Sequence, residues 1–169
     1  MAYLAVAGRA AIFLVFAVSA AGKLGGRRRF HAFADSLSSF LPVRLTTAAA
    51  GAVCLAEAAS AVLLPLPAVA GYGCLLAISL LSVFTFATGW AVLTGRQARC
   101  RCFGTRERPI EAAHVIRNVA LLTAAVCGLG AGPVSVQGAV VAVAAGGIGA
   151  VIAINAAELI ELLHPLGGP

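Results

Sequence analysis

Long apolar runs separated by short polar connections dominate the chain. The first run, 3–24, carries Arg9 as its only internal charge before Lys23. It is long enough for a hydrocarbon core, which takes about 20 helical residues to cross. It lacks the positive start and short apolar core of a cleaved signal, so it reads as a retained span. A second run covers 46–64, the Pro65-Leu66-Pro67 turn follows, and a third run covers about 68–93. Nothing between Glu57 and Arg96 is charged, which predicts a helical hairpin whose turn barely leaves the membrane. Asn118 to Ala157 is again free of charge. Gly128-Leu129-Gly130-Ala131-Gly132-Pro133 breaks this stretch into a fourth span, 110–130, and a fifth, 135–157.

The polar connections differ from one another. Residues 25–45 hold Arg27, Arg28, Arg29, His31, Asp35 and Arg44, with Phe30, Phe33, Leu37, Phe40 and Leu41 at three- and four-residue spacings. That pattern predicts a short amphipathic helix on the membrane surface, ended by Pro42. Residues 94–117 hold Arg96, Arg99, Arg101, Arg106, Arg108 and Arg117 against Glu107 and Glu111. Pro109 is placed to open the next helix, with Glu111 in its first turn. The expected architecture is all-α: one membrane domain over 1–169, an integral helical bundle of about five spans, with a four-helix core as the smaller variant.

Composition supports lipid as the solvent. The 169 residues are 61% hydrophobic and 11% charged, with mean hydropathy +1.00. A soluble domain has about 25% charged residues. Small residues abound, as in Ala144–Ala150, and they suit close helix packing in membranes. The net charge of +6 lies beside the apolar runs. Anionic headgroups and topology account for it without nucleic acid. Arginines fill connections 1–2 and 3–4, which the positive-inside rule assigns to the cytoplasm of a bacterial plasma membrane. The amino terminus is then outside and the carboxyl terminus inside.

Of five cysteines, Cys54, Cys74 and Cys127 lie inside apolar runs and read as packing thiols. Cys100 and Cys102 lie in the arginine-rich loop. Two thiols one residue apart can close a strained, easily reduced disulfide. Arg99 and Arg101 favour the reactive thiolate. The pair alone leaves open redox chemistry, metal binding and inert thiols. A metal would need His31 and His114 as well, and neither has ligand spacing, so no metal site is assigned.

Glu57 lies in the middle of the second span, where a bare carboxylate is costly. Lys23 is its nearest basic partner by depth, with Arg9 and Arg117 as others, and Asn118 is placed to add a helix–helix hydrogen bond. The pair reads as a structural lock or as a proton or quinone site.

In order and character, Lys23 after the first span, the aromatic segment Phe30–Phe40, Glu57, Cys100-Arg101-Cys102-Phe103-Gly104 and Arg117-Asn118 resemble the methylamine utilisation protein MauE family. That family is related in architecture to the DoxX-like membrane proteins. The likeness extends over nearly the whole chain. It implies an integral membrane protein tied to thiol–disulfide chemistry. In the namesake role such a protein assists maturation of exported methylamine dehydrogenase alongside a thioredoxin-like partner. The expected function is therefore that of a membrane thiol–disulfide redox protein with Cys100 and Cys102 as its pair, a thioredoxin-like partner and an exported client, with oxidoreductase activity and a membrane quinone as cofactor both left open. The alternatives are a non-enzymatic scaffold with a structural or metal-bound pair, and a small-solute transporter using Glu57 and Lys23. The arginines point the loop inward, whereas the namesake role places disulfide work outside.

Overall fold

A computed structural model describes the backbone of residues 1–94, 99–100, 108–109, 112–130 and 134–163, and the side chains of 1–94, 113–130 and 134–156. The chain is a helical bundle. Its helices are α1 (Ala2–Leu24), α2 (Arg27–Ser36), α3 (Val43–Leu63), α4 (Ala70–Leu93), α5 (Ala112–Cys127) and α6 (Val136–Leu163). A two-residue antiparallel ladder, β1 (Arg99–Cys100) with β2 (Arg108–Pro109), stands between α4 and α5.

The first helix is the hub. It packs against α3, α5 and α6 and touches α2 and α4, and it is the most deeply buried of the long apolar helices. Ile12, Val15 and Phe16 of α1 form the main core with Ala61 and Leu64, Cys74, Ala77 and Leu81 of α4, Leu121 and Ala125 of α5, and Ala150 of α6. Branched aliphatic side chains on the outer faces, such as Leu55, Val83 and Ile148, are exposed. In a bundle solvated by lipid, that is where apolar side chains belong.

Close approach replaces hydrophobic drive between these helices. A Cβ on Gly146 would run into the backbone oxygen of Ala7 and come within 3.1 Å of the Ala10 Cβ. A Cβ on Gly149 would meet nothing within 4 Å. Gly146→Ala is therefore expected to cost about 1–3 kcal/mol through a forced backbone shift. Gly149→Ala should leave stability unchanged or raise it by up to about 1 kcal/mol. Thermal unfolding of both variants in detergent checks this; equal melting temperatures would remove the α1–α6 contact as the cause.

Among the described residues, four helices, α1, α3, α4 and the 136–156 part of α6, are long and apolar enough to cross a membrane. Within the expected fourth span over 110–130, the described helix α5 has 16 residues. At 1.5 Å per residue it covers about 24 Å, short of the ~30 Å hydrocarbon core. The chain leaves the helix at Gly128, and the exposed carbonyls need partners. Arg9 supplies them: Nε donates to the Gly128 oxygen at 2.7 Å and Nη2 to the Gly130 oxygen at 3.1 Å. A cation at a helix C-terminus is also favoured by the helix dipole. Gly8, one residue earlier, leaves room for this meeting, since a Cβ there would strike the Ala124 oxygen.

Two helix boundaries differ from expectation. Pro109 does not open α5; it pairs with Arg99 in the ladder, and α5 starts at Ala112. Proline lacks an N–H but keeps its carbonyl, so it is tolerated in so short an edge. Glu111 lies outside the described residues. Pro42, expected to end the amphipathic helix, instead precedes α3 as its cap residue, with ψ 138°. The amphipathic helix has already ended at Ser36, and a 3-10 turn, Leu37–Ser39, follows it.

Candidate functional site

Two polar regions stand at one end of the bundle. The first lies inside it. Lys23 at the end of α1 and Glu57 of α3 meet at 2.5 Å between Nζ and Oε1, each only 3% exposed. Ser19, one turn before Lys23 on α1, donates its hydroxyl to the same Oε1 at 3.1 Å. The Lys23 ammonium also lies 4.3 Å from the centre of the Phe33 ring and 5.9 Å from that of Phe84. A cation over aromatic faces is attracted by their electron-rich centres. Of the three candidate partners for Glu57, Lys23 takes the position. Arg9 is committed to the end of α5.

Phe33 explains why α2 sits where it does. The helix expected on the membrane surface turns Phe33 and Ala34 inward, onto Ala50 and Cys54 of α3. Its arginines, Arg27, Arg28 and Arg29, remain exposed, as does His31. The apolar face thus roofs the ion pair, and the basic face looks outward. Burial of Phe33 at 1% exposure was not legible beforehand, because an amphipathic pattern cannot tell a lipid surface from a neighbouring helix.

The second region is the cysteine loop. Its base is the ladder, in which Arg99 faces Pro109 and Cys100 faces Arg108. The ladder brings the two ends of the 101–107 segment together. Strand β1 packs against α2, so the backbone at Cys100 is held beside the arginine-bearing helix that roofs Lys23 and Glu57. Cys102 and Arg101 lie outside the described residues, as do the side chains of Arg99 and Cys100. The remaining cysteines, Cys54, Cys74 and Cys127, are free thiols. Cys54 and Cys74 are each 1% exposed, whereas Cys127 is exposed.

On α5, Asn118 is buried at 5% exposure and Arg117 is half-buried and engaged in an interaction. On α4, Trp90 is half-exposed and stacks on Phe86 at 6.3 Å between ring centres. Among the described residues no cluster of three or more His, Cys, Asp or Glu side chains could hold a metal ion.

Residues 1–131 match a family model described as methylamine utilisation protein MauE. The chain belongs to the MauE family. The match takes in α1 to α5, the ion pair and the cysteine loop, and it ends before α6. The likeness is therefore narrower than the whole chain, although α6 packs extensively on α1. Neither the curated proteins nor the solved structures include a match. Family membership and the long apolar helices together make this MauE-family chain a multi-pass membrane protein.

Proposed function

We propose that this MauE-family protein is a membrane thiol–disulfide oxidoreductase whose Cys100 and Cys102 cycle between dithiol and disulfide in support of disulfide formation in an exported protein. The observation that carries the reading is the family match across the Cys-x-Cys loop. The ladder at the base of the loop and the arginines of α2 beside it add support. Arginines near a thiol favour the thiolate, which is the attacking species.

The exchange is balanced without a further oxidant. One loop thiolate attacks the disulfide of a thioredoxin-like partner, forming a mixed disulfide and expelling one partner thiolate. The second loop thiolate displaces the other, leaving the loop oxidised and the partner a dithiol. The loop disulfide then takes two electrons by the same steps from a client dithiol on its own side of the membrane, before the client is exported. Arg99 and Arg101 act by holding the thiolates. The buried Lys23–Glu57 pair fastens α1 to α3 beneath the loop, and nothing in the exchange requires a quinone.

Differential alkylation tests the pair. Cys100 and Cys102 in membranes should resist alkylation until a reductant is added and then label together. A loop that labels fully without reductant in oxidising and reducing cells alike, or that holds stoichiometric metal lost on chelation, would make the protein a scaffold. Sidedness follows from the same chemistry. With the arginine connections in the cytoplasm, an impermeant thiol reagent should reach Cys102 only in opened cells. Labelling in intact cells would turn the bundle over and put the loop on the side to which the client is exported.

A further inference from the structure

A carboxylate carries two acceptor oxygens, and inside a membrane neither can turn to water. Glu57 Oε1 takes both the Lys23 ammonium and the Ser19 hydroxyl. Glu57 Oε2 is fully buried and has no hydrogen-bond partner among the described residues. The same is true of Ser60 Oγ, on a side chain with no exposed surface. Glu57 and Ser60 are three residues apart on α3, so their side chains share one face of the helix. Two orphaned polar atoms on one buried face leave a large desolvation penalty unrelieved, of the kind native structures avoid.

We propose that Glu57 Oε2 and Ser60 Oγ form a buried binding site for a single O–H group. The group donates its hydrogen to Oε2 and accepts the Ser60 hydroxyl hydrogen. That demand for one donor and one acceptor on the same atom selects the ligand class. An ammonium offers no acceptor, and Lys23 already supplies the cation. An anion would meet the Glu57 carboxylate. An O–H satisfies both atoms, whether it is a water molecule or the hydroxyl of a membrane-soluble compound. Its hydrogen rests against a carboxylate in the interior of the bundle. The assignment stands on these two atoms and is independent of the cysteine loop.

Ser60→Ala separates the site from a mere packing defect, because alanine fits the same space. Removing a hydroxyl that truly lacks a partner raises stability or leaves it unchanged. Removing one that holds a ligand lowers it. The variant and the wild type are to be melted in dioleoylphosphatidylcholine nanodiscs, whose lipid has no hydroxyl, and in nanodiscs made from native lipid extract. A melting temperature lower by about 2–6 °C in both identifies water. In that case exchange from bulk water to the ¹³C-labelled Glu57 carboxyl, followed by solid-state NMR, should appear in the wild type and vanish in Ser60→Ala. A drop confined to native lipid identifies a membrane-soluble hydroxyl compound. An equal or higher melting temperature for Ser60→Ala in both lipids overturns the site.

Discussion

Glu57→Ala should be the most destabilising single substitution in the bundle. The change leaves the Lys23 ammonium among Phe33, Phe84 and Ser19 with no counter-charge, at a position that is 3% exposed. Removing one member of a buried ion pair costs about 3–5 kcal/mol, because the partner is left charged and dry. That is a large share of a typical total stability of about 5–15 kcal/mol. The expected result is a protein recovered in low yield, with a melting temperature well below that of wild type. The partner variant Lys23→Met should be milder, since Ser19 still donates to the Glu57 carboxylate. The double variant Lys23→Met with Glu57→Leu should recover most of the loss, because two apolar groups of similar volume satisfy one another. Melting curves for the two singles and the double complete the thermodynamic cycle. Singles that melt with the wild type would remove the pair as the lock between α1 and α3.

The pairing was legible in the sequence because cost drove the inference. A carboxylate in the middle of an apolar run must find a cation, and Lys23 was the nearest one by depth. The order of helices was legible for a similar reason, since uncharged runs of about 20 residues have few uses other than crossing lipid. What stayed hidden depended on three-dimensional neighbours. Arg9 looked like a side chain reaching for the interface, yet it binds carbonyls more than a hundred positions away in the chain, at Gly128 and Gly130. The only trace in the sequence was a glycine-rich break that would strand carbonyls in the membrane. The same break ends α5 at Cys127, within the stretch expected as the fourth span. The direction faced by Phe33 was hidden because lipid and a neighbouring helix select the same residue types. The ladder from Arg99 to Pro109 was hidden because Pro109 suits a helix start equally well.

Loss of either loop thiol should abolish exchange, and the two losses should differ in kind. The cysteine that attacks is required to form a mixed disulfide, and the cysteine that resolves is required to release it. With an oxidised thioredoxin and a reduced dithiol peptide as the two probes, wild-type protein should pass electrons from the peptide to the thioredoxin with turnover and leave no adduct. Of Cys100→Ser and Cys102→Ser, one should form no adduct, and the other should accumulate it; both should drop to background in turnover. Cys74→Ser is the informative control. Cys74 is 1% exposed and beside the Gly128 backbone, so the new hydroxyl should cost about 1–3 kcal/mol in stability. Yet the thiol is sealed in the core and should have no part in exchange, so turnover per folded molecule should be unchanged. Stability and chemistry thus separate: Cys74→Ser should melt early and react normally, and the loop variants should melt normally and fail to react. Full turnover in both loop variants would end the redox reading, whatever the melting temperatures.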